Sequence, residues 1–290
     1  MSTPLESYPE LASALGVSTL YFKRDDMHQY GSHKGRSIPV MIDAYYAKGD
    51  RRFAISSSGN AALAAALYIR ELNGKQEEQA ELDIYVGNSI APHKLERLKD
   101  LADASIRVLI KERPLQALTQ SAQEGMRSLR QSTDDTALTG YGSLAQELAA
   151  VKGISTVFIG TSSGTTAQAL AQYFNNKKLP IQVHIVQTSS CHPMADAFES
   201  FDGHDEKSIA DAIVDLTAQR KAVLIPLIEK TGGRGWIATN DEISTALELV
   251  KKYTDLDIST NSALSVAGAM KAVYSGLELK GAVACMICGE

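Results

Sequence analysis

Cysteine is scarce in this chain of 290 residues, which contains only three. Three thiols cannot form the disulfide framework that stabilises small secreted proteins. The first residues also lack the basic and then apolar pattern of a secretory leader. We therefore expect a cytoplasmic protein.

Long hydrophobic runs and an excess of positive charge are also missing. The longest apolar run, residues 61–69, is far shorter than the roughly 20 residues that a membrane helix needs, and it predicts a buried helix. Lys and Arg number 29 against 34 Asp and Glu, a formal net charge of −5. Such a balance gives no overall attraction to nucleic acid or to anionic lipid. We expect neither a membrane nor a nucleic acid as partner.

The composition that remains is that of an ordinary globular protein, with 44% hydrophobic and 22% charged residues. At roughly 150 residues per domain, the length suggests about two domains or one large α/β unit. Short runs rich in Ile, Val and Leu alternate with longer helix-periodic runs, which predicts an α/β fold with a mainly parallel sheet. The predicted strands are residues 20–23, 52–56, 82–86, 106–110, 156–159, 181–186, 223–226 and 282–287. The predicted helices are residues 60–72, 114–129, 141–152, 165–174, 239–252 and 262–274, and the polar stretch 201–207 predicts a solvated loop.

Lys34 occupies an unusual position, after a strand and a turn and at the start of a predicted helix. A cation at a helix N-terminus opposes the helix dipole. Burial together with that dipole favours the neutral amine, which is the form that acts as nucleophile and base. Taken alone, the segment fits a solvated turn lysine better.

A second segment, residues 56–62, passes from a strand through small polar residues into an Ala-rich helix. Unpaired amides at such a helix start can bind a carboxylate or a phosphate, and Gly59 allows close approach. The competing interpretation is that Ser58 or Asn60 simply caps the helix.

A third segment lies between another predicted strand and helix and has the composition of a phosphate cradle. Its glycines permit a turn, while its hydroxyls and amides can donate to phosphate oxygens at the positive helix end. No lysine follows as in a Walker loop, and the glycine spacing differs from the dinucleotide fingerprint, so nucleotide binding is disfavoured. The segment consists of Gly160, Thr161, Ser162, Ser163, Gly164 and Thr165.

No metal site is expected. Cys285 and Cys288 have the spacing of a redox or metal pair, but in a strand residues three apart face opposite sides. Cys191 and His192 are adjacent, yet no spaced cluster of further ligands accompanies them.

Taken together and in this order, the segments resemble the fold-type II pyridoxal-phosphate enzymes, the family of threonine synthase, cysteine synthase, threonine dehydratase and the tryptophan synthase β subunit. The resemblance spans nearly the whole chain, from Thr3-Pro4-Leu5 through residues 21–26 to Cys288-Gly289-Glu290. It implies two three-layer α/β domains with mainly parallel sheets and pyridoxal 5′-phosphate in the cleft. The larger, cofactor-binding domain would comprise residues 1–34 and 140–290, and the smaller one residues 35–139 with the substrate-carboxylate loop. A homodimer is also implied.

The resemblance further implies a role for each matching residue. Residues 31–34 are similar to the cofactor-lysine motif, which makes Lys34 the Schiff-base lysine and the catalytic base. Asn60 matches the asparagine beside the phenolic oxygen of the cofactor, and Cys288 would face its pyridine nitrogen. The residues implied to hold the cofactor phosphate are Gly160, Thr161, Ser162, Ser163, Gly164 and Thr165. Those implied to hold the substrate carboxylate are Ser57, Ser58, Gly59 and Asn60.

Further segments look like threonine synthase, namely residues 140–147, Gln187, Pro193, 195–198 and 261–263. The expected reaction is elimination or replacement at Cβ or Cγ of a small-molecule amino acid, best matched by conversion of O-phosphohomoserine to threonine and phosphate. One alternative is a serine or threonine dehydratase or another pyridoxal-phosphate-dependent ammonia-lyase. Another is a non-catalytic or partner-dependent protein that binds the cofactor. Two positions depart from the family pattern: Gly35 replaces a frequent aspartate, and Ser259 replaces a common glutamate.

Overall fold

The computed structural model describes residues 2–203 and 207–289. The chain forms two compact units, one built from Met1–Met27 with Tyr141–Glu290 and the other from His28–Gly140. The predicted division into folding domains, with boundaries at residues 34 and 139, stays a prediction. The middle of the predicted loop 201–207 and Glu290 of the terminal motif lie outside the described residues.

Ten strands and eleven α-helices are found in the described part of the chain. The strands are β1 Leu5–Ser7, β2 Thr19–Arg24, β3 Arg52–Ser56, β4 Glu81–Gly87, β5 Ile106–Lys111, β6 Arg127–Ser128, β7 Ile154–Gly160, β8 Gln182–Thr188, β9 Gly235–Ala238 and β10 Ala282–Ile287. The helices are α1 Pro9–Leu15, α2 Ile38–Tyr46, α3 Asn60–Asn73, α4 Pro92–Lys99, α5 Pro114–Gln123, α6 Thr136–Gly140, α7 Gly142–Ala150, α8 Thr165–Asn176, α9 Lys221–Thr231, α10 Asn240–Thr254 and α11 Thr260–Tyr274. Three 3₁₀ turns lie at Asp25–Met27, His33–Arg36 and Ala195–Ala197.

Two of the predicted elements are wrong. Residues 223–226 are not a strand but part of α9, whose buried residues Leu224 and Ile228 have the spacing of a helix. The predicted helix 114–129 ends at Gln123, because Gly125 adopts a left-handed φ of 89° and the chain then enters β6. The other predicted strands and helices are confirmed, with ends that differ by a few residues.

The first unit contains a six-stranded sheet with the order β1-β2-β10-β7-β8-β9. Only β1 is antiparallel to its neighbour; the other pairings are parallel. Helices α1, α10 and α11 pack together with alternate strand residues, such as Phe158, Val283 and Cys285, in one apolar core. Helix α8 contacts both α7 and α9, and α8 and α9 also contact β8.

The second unit contains a four-stranded sheet with the order β5-β4-β3-β6, in which all pairings are parallel. Its main core includes buried residues of α2, α3 and α4, and a smaller cluster joins α5 to the sheet. Within α3 the predicted buried helix is confirmed, since residues such as Ala62, Ala65 and Ile69 are fully buried. In both units the polar segments singled out above follow the carboxyl end of a parallel strand, which is the edge where α/β proteins bind ligands.

No helix in the described part of the chain combines the length and apolar character needed to cross a membrane.

Candidate functional site

Lys34 lies on a short 3₁₀ turn and not, as the sequence predicts, at the start of an α-helix. The turn spans His33–Arg36, and α2 begins only at Ile38. Its geometry is fixed by Ser32, whose Oγ accepts a hydrogen bond from the Lys34 amide at 3.3 Å, and by Ser37, whose amide donates to the Lys34 carbonyl at 3.1 Å. The Lys34 side chain is half-buried, and its Nζ has no partner among the described residues. An unpaired, partly desolvated amine is available for covalent chemistry or proton transfer.

The loop that follows β3 leaves a helix start without a side-chain cap. The N-cap residue of α3 is Gly59, which has no side chain to cap the helix, and not Ser58 or Asn60 as the competing interpretation predicts. Ser57 shapes the loop, because its Oγ accepts a hydrogen bond from the Gly59 amide at 3.3 Å. The first amides of a helix have no acceptor within it and are therefore available to an anion. The 3₁₀ turn that carries Lys34 contacts α3, which places amine and loop in the same unit.

The loop between β7 and α8 is a turn closed by its own hydroxyls. Thr161 Oγ1 accepts a hydrogen bond from the Gly164 amide at 3.1 Å, and Ser163 Oγ lies 2.9 Å from Thr165 Oγ1. Gly164 has a φ of 78° and is the N-cap of α8, again without a side-chain cap. The amides of Ser162 and Ser163 have no acceptor among the described residues. Unpaired amides, hydroxyls and the positive end of a twelve-residue helix together suit a phosphate.

Residues 160–165, called the phosphate loop after the ligand expected for them, need glycine twice for space, and at Gly164 for backbone conformation as well. A Cβ on Gly160 would lie 2.9 Å from the Asn261 carbonyl oxygen, and one on Gly164 would lie 2.7 Å from Leu224 Cδ2. The phosphate loop therefore packs tightly against the start of α11 and against α9.

Ser162 uses its hydroxyl in a way that the sequence did not reveal. Its Oγ accepts hydrogen bonds from the amides of Val214 and Asp215, both at 3.1 Å. The hydroxyl thus holds the segment before α9 against the phosphate loop, and the Ser162 amide is the group left for a ligand.

Gln187 supports the same loop from β8. The side chain is fully buried; its Nε2 donates to the Thr161 carbonyl at 3.3 Å, and its Oε1 accepts from the amides of Met194 and Ala195 at 2.8 and 2.9 Å. The sequence singled out Gln187 only through a resemblance and gave it no role. Three hydrogen bonds from one buried amide make it a brace for the phosphate loop.

The end of the chain is held in place by the start of α11. Cys288 donates its amide to Ser262 Oγ at 3.1 Å, while the hydroxyls of Ser259 and Ser262 both donate to the Gly289 carbonyl, at 2.6 and 3.2 Å. Ser259 is also the N-cap of α11, where its side chain accepts from the Ser262 amide. Ser259, the serine that replaces the family glutamate, therefore caps a helix and holds Gly289, the residue after Cys288.

The two other cysteines are poor nucleophiles in this environment. Burial raises the pKa of Cys285 to about 12, and burial likewise raises the pKa of Cys191 above its ordinary value. Both thiols therefore stay protonated at neutral pH. Across residues 2–203 and 207–289, no group of three or more His, Cys, Asp or Glu side chains is placed to hold a metal ion.

The two units offer different groups to a ligand. In the second unit, Lys34 offers an amine for a carbonyl carbon, and the loop after β3 offers amides for a carboxylate. In the first unit, the loop after β7 offers unpaired amides and hydroxyls for a phosphate. The tight packing behind Gly160 and Gly164 keeps the phosphate loop in one shape.

Comparison with known proteins agrees with this chemistry. The family model described as "Pyridoxal-phosphate dependent enzyme" matches residues 1–289. No curated protein matches the chain.

Several solved structures share the fold over essentially the whole chain. A pyridoxal 5′-phosphate-dependent aspartate racemase superimposes with a TM-score of 0.84 at 19% identity, covering 100% of this chain and 90% of that one. The processed form of threonine deaminase isoform 2 from Solanum lycopersicum gives 0.80 at 23% identity, with 100% and 84% covered. Maize serine racemase gives 0.81 at 18% identity, with 99% and 87% covered. The chain therefore belongs to the family of pyridoxal-phosphate-dependent enzymes, has their type II fold and uses pyridoxal 5′-phosphate as its cofactor.

Proposed function

We propose that this protein removes the Cα proton of a small amino acid and eliminates or replaces a group at its Cβ or Cγ. One observation carries the proposal: the unpaired Nζ of Lys34 lies on a turn that contacts α3, the helix whose uncapped start can hold a carboxylate. A substrate anchored by its carboxylate has its Cα at a fixed place, so a nearby amine can act as general base.

Lys34 and residues 57–60 have different roles in the proposed reaction. Lys34 would attach the cofactor and would hold and move the Cα proton at Nζ. Residues Ser57, Ser58, Gly59 and Asn60 would bind the substrate carboxylate, and Asn60 would also help to hold the cofactor at its phenolic oxygen. Pyridoxal phosphate, when bound, supplies an electron sink for the charge left at Cα.

The cofactor is held by groups at both of its ends. Residues 160–165 would bind its phosphate through their amides and hydroxyls, and Cys288 would face its pyridine nitrogen. A thiol at that position would not offer the nitrogen the acidic partner that an aspartate provides.

For the specific reaction, the first candidate is a threonine synthase-like conversion of O-phosphohomoserine to threonine and phosphate. It is supported by the resemblance at residues 140–147, 193, 195–198 and 261–263. Of the resembling positions, Gln187 donates a hydrogen bond to the phosphate loop, and the Ala195 amide donates to Gln187. That part of the resemblance concerns how the cofactor is held.

The second candidate is an ammonia-lyase or dehydratase that acts on serine or threonine. It is favoured by the names of structural relatives, which include a threonine deaminase and a serine racemase. The base and the carboxylate loop are the same for both candidates, so only the fate of the product separates them.

Product analysis tests these assignments directly. The purified holoenzyme is incubated with O-phosphohomoserine, serine and threonine, and threonine, inorganic phosphate, 2-oxo acid and ammonia are measured. Threonine with phosphate supports the synthase, and a 2-oxo acid with ammonia supports the lyase. Lys34→Ala should abolish either activity, whereas Lys99→Ala, which removes an exposed lysine of the same unit, should leave it unchanged. Cofactor binding without any turnover would contradict both candidates and favour a non-catalytic or partner-dependent protein.

We also propose that the protein is a cytoplasmic homodimer whose substrate is a small molecule. Sedimentation equilibrium of the holoenzyme tests the dimer, since a mass of one chain across the concentration range would contradict it.

A further inference from the structure

Gly35 follows the cofactor lysine, where an aspartate is frequent in the family, and the structure shows what prevents any larger residue there. A Cβ on Gly35 would lie 2.6 Å from Cε1 of His28, closer still to its Nδ1, and 3.0 Å from Cβ of Tyr30. Gly35 is not among the glycines with a left-handed backbone. Space, and not backbone conformation, therefore demands a glycine beside Lys34.

The ring that fills this space is itself fixed. His28 is buried, and its Nδ1 accepts a hydrogen bond from the Tyr30 amide at 3.3 Å, while its carbonyl accepts from the Gly31 amide at 2.7 Å. Because Nδ1 is an acceptor, the proton of the neutral ring resides on Nε2. The loop 28–31 thus holds the imidazole directly against the turn that carries Lys34.

Tyr30 connects this loop to α3. Its hydroxyl donates to the Glu71 carboxylate, and its ring meets that of Tyr68 edge to face with centroids 5.7 Å apart. Both partners belong to α3, the helix that begins with the carboxylate loop. His28 and Tyr30 therefore connect the turn that carries Lys34 to α3, the helix that follows the carboxylate loop.

From this arrangement we propose that His28 is a positioning residue for Lys34: its ring, admitted by Gly35, sets the direction in which the Lys34 side chain leaves its turn. The proposal rests on the assignment of Lys34 as the cofactor lysine. It adds a residue that does not touch the reacting atoms but acts through the lysine. The residues allowed at positions 28 and 35 depend on each other, since a side chain at position 35 would overlap with the imidazole of His28.

A double-mutant cycle tests the interdependence. Gly35→Ala, His28→Ala and the double variant are prepared, with Gly74→Ala as the control because a Cβ there makes only ordinary contacts, at 3.5 Å or more. Two properties are measured: urea unfolding of the protein without cofactor, and the fraction of Lys34 that carries the cofactor after borohydride reduction, by peptide mass spectrometry. We expect Gly35→Ala to lower the labelled fraction at limiting cofactor at least tenfold in the parent and less than threefold when His28 is already Ala.

A conservative variant separates positioning from mere folding. In His28→Asn the side-chain Oδ1 can still accept from the Tyr30 amide, so labelling of Lys34 should stay within threefold of the parent, whereas His28→Ala should lose more than this. His28→Ala should also change kcat more than KM, because the carboxylate loop remains intact while the amine is displaced.

The outcomes distinguish this inference from the proposed function. An equal effect of Gly35→Ala in both backgrounds, or parental labelling and kcat in His28→Ala, would overturn the inference and leave the role of Lys34 untouched. Absence of label on Lys34 in the parent protein would overturn the proposed function and the inference with it. Coupling between positions 28 and 35 in unfolding alone, with labelling unaffected, would show a packing contact without a positioning role and would also overturn the inference.

Discussion

At the residue scale, His184 of β8 illustrates how burial sets protonation in the core of the first unit. Its ring is fully buried and stacks on Phe158 and on Trp236, with centroid separations of 4.6 and 6.2 Å. Trp236 Nε1 donates to its Nδ1 at 3.1 Å. Burial, and to a smaller extent the positive charge of Arg234, lowers the pKa of His184 from 6.5 to about 3. The ring is therefore neutral in the folded protein at every pH at which the protein is expected to work.

The free energy of unfolding should consequently fall as the pH falls below 6.5. In that range the unfolded chain binds a proton at His184 and the folded chain does not until the pH approaches 3, so acid favours unfolding by up to about 1.4 kcal/mol per pH unit from this residue. The free energy of unfolding, measured with urea at pH 7, 6 and 5, should depend less steeply on pH in His184→Gln than in the parent. His93→Gln, which changes an exposed histidine, serves as the control and should keep the parental slope. If the free energy of unfolding depends on pH as steeply in His184→Gln as in the parent, the lowered pKa of His184 is contradicted.

At the element scale, the turn between β7 and α8 is the segment that we propose binds the cofactor phosphate. Its shape depends on a left-handed glycine at the N-cap of α8, on the hydrogen bond that Thr161 Oγ1 accepts from the Gly164 amide, and on the one that Gln187 donates to the Thr161 carbonyl. A helix start of this kind binds an anion well only while its amides point in one direction. The hydrogen bond from Gln187 to the Thr161 carbonyl helps to fix the direction of these amides.

Gly164→Ala should weaken cofactor binding by at least tenfold and destabilise the protein. Its φ of 78° costs an alanine about 1–2 kcal/mol, and the new Cβ would lie 2.7 Å from Leu224 Cδ2. Fluorescence titration with the cofactor and urea unfolding measure the two effects. Gly153→Ala is the matched control, because Gly153 also has a positive φ, 94°, but open space around its Cβ. Similar losses of cofactor affinity in both variants would refute the role given to the loop.

The sequence was informative where a pattern is long or sharply bounded. Strands β3 and β10 and the start of α8 were predicted at the residues where the structure has them. Four apolar residues at 223–226 fit a strand and a buried helix equally well, and the deciding signal was the later residue Ile228. Within helix 114–129, Gly125 was the overlooked terminator.

For the site, residue types and their order pointed to the three segments, but not to what braces them. The hydroxyl of Ser162 turns to an amide 52 residues away, and Gln187 reaches a loop 26 residues earlier. The ring of His28 fills the space beside Gly35. Such contacts depend on side-chain directions in the folded chain, which no periodicity in the sequence encodes.

At the scale of the whole molecule, the first unit is assembled from two distant parts of the chain. Residues 1–27 supply β1 and β2, and β2 pairs with β10 from the other end of the sequence. Lys23 adds a buried link, since its Nζ donates to the Glu147 carboxylate at 2.5 Å and to the Thr3 carbonyl at 2.6 Å. The second unit, in contrast, is a single stretch with its own sheet and core.

The two units should therefore differ in whether a single fragment of the chain can fold. Residues 28–140 alone should unfold cooperatively in urea, as monitored by circular dichroism, because their sheet and main core are complete. Residues 141–290 alone should be aggregated or unfolded, since β10 would lose β2, one of its two neighbours, and Glu147 would lose its lysine. Co-expression with residues 1–27 is the control that should restore soluble protein. A cooperative transition in 141–290 alone would contradict the prediction that residues 1–27 belong to its fold.

Identification of the lysine that binds the cofactor covalently tests the role of Lys34. The holoenzyme is reduced with borohydride and digested, and the modified peptide is sequenced by mass spectrometry, with Lys34→Ala and Lys99→Ala treated in parallel. We expect a single phosphopyridoxyl group on Lys34, present in Lys99→Ala and absent from Lys34→Ala. A modified lysine elsewhere in the parent protein, or no modification at all, would contradict it.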